Sequence, residues 1–439
     1  MALVSTSLSV NVGNIYVSSS SNAITTMYFC NTSDTTAHFT VYAVPASQAP
    51  DPTKIIYFQV PLAAHDTYVV DTEKLILEDG DRLCANIVDP STLAIKGLFG
   101  SGWGSNVVYA SMWATDRTEY IIVGDSGKVA ISQTGESWDY QPGVSFLGWP
   151  ADVKANDITR IPLLKYVMVG DKGWMAASAD GVNWGYQNAL LTSSWGPANI
   201  NAITNNGSVY VAVGDGGRVA TSTNGYIWTV QSGLSSTAWG IANVYTIIWD
   251  GQRFLVGGDE GRIATSTDAI TWTYVSSLAT NPSWGVSTRL TTLVYSGSAA
   301  LGYLAVSYDN NKAATSLNGI NWTYDAGLAG VASATVPGSG GATYKPGFGF
   351  YVIGNSSEIY HRDTSGTWAM YNGLRYPPWL GHAGTDIIWN GERAEFMAVG
   401  HGARVATSNN GEDWTFRSSG NDTNIIMPEV VATVFSIGI

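Results

Sequence analysis

Ser222-Thr-Asn224-Gly225-Tyr-Ile-Trp228 decides the fold of this 439-residue chain, because the same pattern returns along it at a nearly constant interval. Ser132-Gln-Thr-Gly135-Glu-Ser-Trp138 and Ser178-Ala-Asp180-Gly181-Val-Asn-Trp184 precede it. Ser266-Thr-Asp268-Ala-Ile-Thr-Trp272, Ser316-Leu-Asn318-Gly319-Ile-Asn-Trp322 and Ser408-Asn-Asn410-Gly411-Glu-Asp-Trp414 follow it. A degenerate copy ends at Trp368, with Arg362 in the serine place. Successive tryptophans are 46, 44, 44, 50, 46 and 46 residues apart. A repeat of ~40–50 residues made of short strands marks a propeller blade. The seven copies therefore predict a seven-bladed β-propeller over residues 106–439.

Period-two alternation and turn residues place four strands in each repeat. In the third copy INAITNNG reads as inner strand A, SVYVAVGDGG as strand B with a tight hairpin, RVATSTNG as C and YIWTVQSG as D. At the C–D turn Asn or Asp accepts backbone N–H bonds, and Gly removes the Cβ clash of a left-handed φ. The tryptophan then opens strand D and covers the gap between blades. Two further signals recur in phase. A Trp, usually followed by Gly, comes 11 or 12 residues after the box, at Trp149, Trp195, Trp239, Trp284 and Trp379, with Trp103 leading into the first blade. The B–C hairpin carries Asp125, Asp171, Asp215, Asp259 and Asp309, then Asn355 and His401. Three residues later stand Lys128, Trp174, Arg218, Arg262, Lys312, Glu358 and Arg404.

The box is similar to the Asp-box of sialidases and of photosystem-assembly-factor propellers. That resemblance implies a structural hairpin far from any ligand, so Asp180, Asn224, Asp268, Asn318 and Asn410, with Trp138, Trp184, Trp228, Trp272, Trp322 and Trp414, are structural. Thr-Arg160-Ile161-Pro162 looks like the arginine motif of sialidases. It falls in the second repeat, in a ring of seven blades where that family has six, and no partner arginines are in register. It carries no catalytic weight.

Residues 1–98 lack the box and alternate as NVGNIYVSS, AITTMYFCN, HFTVYAVP, KIIYFQVP, TYVVD and DRLCANIV, which predicts an antiparallel β-sandwich. Glycine-rich LFGSGWGS, residues 98–105, is the expected junction. Cys30 and Cys84 both lie in this part; two cysteines do not make a disulfide framework, and free thiols are the reading. The last segment, NDTNIIMPEVVATVFSIGI, aligns with a D–A loop and an A strand, yet the first blade already owns NVVYASMW. This surplus strand has three destinations open to it: the first blade, the N-terminal domain or another subunit.

The run NAITTMYFCNTSDTTAHFTVYAVP with DTYVVDTEKLILEDGDRLCANI resembles a β-sandwich module of structural proteins of tailed bacteriophages. The resemblance implies a virion component, made in the host cytoplasm and present in many copies or as a homo-oligomer. Its sandwich would attach to other particle subunits, and its propeller would be displayed for a host-surface glycan or a subunit. A non-viral assembly or adhesion propeller is the alternative, and a sialidase-type glycan hydrolase comes third.

A net charge of −13 without a Lys/Arg cluster excludes nucleic acid as a partner. No apolar run reaches the ~18 residues of a membrane helix, and the start lacks a signal-peptide pattern. The five histidines are scattered, so no metal is expected; neither a cofactor motif nor a nucleophile constellation is legible, and the reading is non-enzymatic. Topology puts the D–A loops and B–C hairpins on one face of the ring. Trp195, Trp239, Trp284 and Trp379 with Arg218, Arg262 and Arg404 are the candidate binding residues there, beside a competing role for the tryptophans in packing between blades. In the sixth repeat a Gly/Ser-rich stretch, residues 329–348, replaces the Trp-Gly element and is a further binding candidate.

Overall fold

The computed structural model describes residues 2–8, 12–32, 37–50, 54–71, 75–87, 98, 103–141, 149–162, 165–275, 278, 280–307, 311–331, 339–354, 356–374, 379, 382–417 and 430–438. The hairpin positions Asp309 and Asn355, and residues 332–338 of the sixth-repeat stretch, lie outside them. The chain divides into two compact units, residues 1–94 with 423–439, and residues 95–422.

Residues 95–422 form a β-propeller of seven four-stranded antiparallel sheets, each drawn from consecutive strands. Blade 1 comprises Val108–Ala114, Glu119–Gly124, Val129–Ser132 and Asp139–Gln141. The inner strands of blades 2 to 7 are Ala155–Arg160, Ile200–Asn205, Val244–Trp249, Thr292–Tyr295, Ser339–Lys345 and Gly384–Asn390. Strand B lies between two neighbouring blades and is buried throughout, as in Tyr210–Gly214. Such a strand reads as an unbroken apolar run, because both its faces meet other sheets.

In six of the seven blades the box closes the C–D turn by local hydrogen bonds. In blade 3 Ser222 Oγ accepts the Gly225 N–H at 2.9 Å, and Asn224 Oδ1 accepts the N–H groups of Tyr226 and Ile227 at 2.9 Å. Asp180, Asp268, Asn318 and Asn410 accept the equivalent N–H groups in their own turns. Gly225 has φ +75°, and a Cβ there would stand 2.8 Å from Val167 of the preceding blade. Trp228 Nε1 donates to the Gly225 carbonyl at 3.3 Å; Trp138, Trp184, Trp272, Trp322 and Trp414 donate in the same way. All six indoles are buried between blades.

Blade 7 meets blade 1 through side chains and one backbone hydrogen bond. Tyr120 OH donates to Glu395 Oε1 at 2.9 Å, Trp113 Nε1 to Glu392 Oε2 at 2.9 Å, and the Ala403 N–H to the Asn106 carbonyl at 2.8 Å. Tyr120, Ile122, Ala130 and Trp138 share one apolar cluster with Met397, Val399, Ala403 and Val405.

The first unit is a β-sandwich. One sheet contains Gly13–Val17, Arg82–Ile87, Ala37–Val44 and Ile55–Leu62; the other runs Ala2–Ser7, Val430–Gly438, Asn22–Asn31, Thr67–Val70, with Leu75–Leu77 also on Asn22–Asn31. Phe29 of one sheet stacks on Phe39 of the other at 4.2 Å in their common core. Cys30 and Cys84 are free.

The surplus strand thus belongs to the sandwich, which corrects the expected propeller span of 106–439. Val430–Gly438 pairs antiparallel with Ala2–Ser7 on one side (Ala2↔Ser436) and with Asn22–Asn31 on the other (Asn22↔Gly438). The reason lies in unmet backbone groups. Val108–Ala114 already fills the inner place of blade 1, whereas Ala2–Ser7 pairs with no other strand of the described residues.

Candidate binding face of the propeller

Each D–A loop is built around its tryptophan, and the indole is turned inward. Trp195, Trp284 and Trp379 are 0 % exposed and Trp239 1 %. Trp195 Nε1 donates to the Ala198 carbonyl at 3.0 Å, Trp239 Nε1 to Ala242 at 2.8 Å and Trp284 Nε1 to Thr288 at 3.1 Å. The indole also sits against the glycine that ends strand B, where a Cβ would come within 3 Å of it: Gly214 against Trp195, Gly258 against Trp239. These tryptophans are therefore loop cores, and the expectation that they contact a ligand is corrected. A serine or threonine tightens the turn: Thr237 Oγ1 donates to the Leu234 carbonyl at 2.7 Å and accepts the Trp239 N–H at 3.1 Å, as Ser193 does for Leu190 and Trp195.

The cation three residues after the hairpin aspartate fastens that loop. Lys128 Nζ donates to the Trp103 carbonyl at 2.7 Å, Arg262 Nη1 to Trp239 at 3.4 Å, and Lys312 Nζ to Trp284. Trp174 performs the same task by packing, stacked on Tyr186 at 4.4 Å and tilted against Trp149 at 5.7 Å. Arg218 and Arg404 bond back to the hairpin carbonyls of Asp215 and Gly402 at 2.8 and 3.0 Å, and Arg262 also pairs with Glu260 at 2.6 Å. Arg218, Arg262 and Arg404 are half-buried latches rather than an open cationic patch.

The hairpin aspartates are engaged as well. Asp125 accepts the Val107 N–H at 2.8 Å, Asp171 and Asp215 accept Asn156 and Asn201 side-chain N–H at 2.9 Å, and Asp259 accepts the Tyr245 hydroxyl at 2.8 Å. Burial, reinforced by bonded Asp125, pushes the Tyr109 phenol far above its ordinary range. Among the described residues no group of three or more His, Cys, Asp or Glu is placed to hold a metal ion.

Apolar tips stand on this face beside exposed charged residues such as Asp152, Lys172 and Glu260. The loops leading into blades 2, 3, 4 and 5 expose Ala151, Pro197, Ile241 and Val286, each two residues after its tryptophan. Ile241 is 88 % exposed and Val286 73 %. Sequence reasoning passed over them, although they stand in the same phase as the Trp-Gly signal. Arg160 is a structural residue, paired with Asp116 at 2.6 Å and laid on the Tyr166 ring at 4.1 Å. Arg117, its neighbour in space, is held by Glu119 at 2.6 Å. The face thus offers loops tied by their own hydrogen bonds, with apolar tips beside exposed ion pairs, while Trp379 Nε1 is buried with no partner among the described residues.

No family profile and no curated protein matches the sequence. Among solved structures, the propeller is similar to "YCF48 bound to D1 peptide", at 15 % identity over 69 % of this chain and 91 % of that one, with a TM-score of 0.52. It is similar also to "YCF48 from Cyanidioschyzon merolae", at 16 % identity over 69 % and 95 %, with a TM-score of 0.51. YCF48 is a photosystem assembly factor, and at this identity the likeness shows the all-β propeller fold alone. No comparison supports a bacteriophage particle protein.

Proposed function

We propose that this chain is a non-enzymatic binding propeller of the assembly or adhesion kind, which takes an extended segment of a partner protein on its D–A loop face. The observation that carries this reading is the exposure of Ile241 and Val286 on loops whose buried tryptophans and latching cations leave them little freedom. Exposed aliphatic side chains on a pre-organised rim lose little entropy on contact, so they suit an interface. A solved structure of similar fold is described as bound to a peptide, which supports a peptide as the class of ligand. Selection of linear peptides from a random library on the full chain, run beside a glycan array, tests the reading. Recovery of apolar peptides is the expected result; glycan binding without any peptide would overturn it.

A further inference from the structure

The degenerate box of blade 6 does more than miss a serine. In the six regular boxes the tryptophan Nε1 donates to the turn carbonyl, whereas Trp368 Nε1 is buried with no partner among the described residues. Asp363 caps the turn instead, accepting the N–H groups of Ser365 and Thr367 at 2.9 and 2.7 Å. Arg362, in the serine place, turns toward blade 5, where its Nε donates to Asp325 Oδ2 at 2.8 Å.

This pairing sets blade 5 apart from blades 3 and 7. The residue matching Asp325 is Gln231 in blade 3 and Arg417 in blade 7, and each donates to the threonine of its own strand C, Thr221 and Thr407, at 2.9 and 3.0 Å. Asp325 pairs with Arg362, and the matching Thr315 hydroxyl has no such partner among the described residues, as is also true of Thr265 in blade 4, where the matching residue is Val275. Between the blades lies a cavity of about 440 Å³, lined by Thr315, Thr323, Asn321, Thr364, Ser365 and Arg362 among others. Arg362 is only 15 % exposed, and its terminal nitrogens carry no protein hydrogen bond among the described residues. Gly366, at φ +93°, lets Arg362 Nη2 lie against the turn, since a Cβ would stand 3.0 Å from it.

We infer that this cavity, on the face opposite the D–A loops, is a binding site for a small hydroxylated carboxylate of the hexuronic acid class. A guanidinium fixed through Nε and open at its other end matches a carboxylate. Five hydroxyl residues and two amides line it, among them Thr315, Thr323, Thr364 and Asn321, and match a polyol, and the volume falls within the ~300–1,000 Å³ of small-molecule sites. The site is independent of the peptide face.

Titration calorimetry of the full chain with D-glucuronate, D-glucose and inorganic sulfate tests this. Glucuronate is expected to bind, with glucose and sulfate each ~10-fold weaker or more. Arg362→Gln is expected to weaken glucuronate ~10-fold or more, through the lost charge-assisted bonds. Thr315→Val keeps the volume and fold, and should weaken binding severalfold with an unchanged thermal midpoint. Absence of glucuronate binding, sulfate binding as tight as glucuronate, or affinity unchanged in Thr315→Val would each overturn the inference.

Discussion

Asp386 Oδ2 accepts both the N–H and the hydroxyl of Ser111, at 2.9 and 2.7 Å, across 275 residues of chain. The bond joins the inner strand of the last blade to that of the first, where no strand is exchanged between the two blades among the described residues. Asp386→Ala leaves a buried N–H and hydroxyl unpaired, which costs about 2–4 kcal/mol. Denaturant unfolding should show this loss in the propeller. A variant as stable as the parent would mean that apolar packing alone closes the ring.

Asp157, at the matching place in blade 2, gives the propeller a pH signature. Desolvation pushes its carboxyl up to about 7, with the Ile203 and Ile158 N–H groups opposing and the charge of Asp386 adding. The folded state therefore holds this proton where the unfolded chain, near pKa ~3.9, has released it. Its stabilising contribution is full below about pH 4 and is lost as pH rises through about 7. The difference in unfolding free energy between the parent and Asp157→Asn should fall over that window and level off above it. A difference that stays constant with pH would contradict the burial of this charge.

Asp180 shows the opposite sign. Against the desolvation of its site, the Asn183 N–H and side chain, the Val182 N–H and the Ser178 hydroxyl hold its carboxyl well below the usual range. Its contribution is present above pH ~4 and fades as pH falls. Asp180→Asn keeps the oxygen that Asn224, Asn318 and Asn410 use, so at pH 7 it should stay within about 1 kcal/mol of the parent. Asp180→Ala, which leaves the turn N–H groups uncapped, should lose about 1–3 kcal/mol. Equal thermal midpoints for the two variants would remove the capping role.

Ending the chain at Asp422 removes the strand Val430–Gly438 from the middle of its sheet. Hydrogen exchange should then accelerate in Ala2–Ser7 and along the edge of Asn22–Asn31, while strand B of each blade keeps its protection. Protection that survives in Ala2–Ser7 would show that another edge accepts it.

The fold was legible because the box is local chemistry: Ser222, Asn224, Gly225 and Trp228 satisfy one another within a single turn. The destination of the last strand was not, since Val430–Gly438 reads equally well as any inner strand and its place depends on which distant edge is vacant. The phase of Trp195 and Trp239 gave their face of the ring, but an indole can point out or in, and the glycines at 214 and 258 that receive them lie two strands away. Arg362 was visible as an oddity in its repeat. The cavity beside it takes its lining from two blades, Thr315 and Asn321 of one and Arg362 and Thr364 of the next, which only the folded ring brings together.

The peptide face is tested most directly by one affinity comparison, using a peptide selected on the full chain and measured by fluorescence anisotropy. Ile241→Asp/Val286→Asp puts two charges on the exposed loop tips, whereas Ile227→Asp puts one on a box turn of the opposite face, where Ile227 is 73 % exposed. Both variants alter surface positions and should keep the parent's thermal midpoint to within a few degrees, about the shift of 1 kcal/mol. The double variant is expected to lose binding by ~100-fold, at ~1–2 kcal/mol for each apolar contact removed, with Ile227→Asp at parental affinity. Parental affinity in the double variant, or an equal loss in Ile227→Asp, would contradict a binding face formed by the D–A loops.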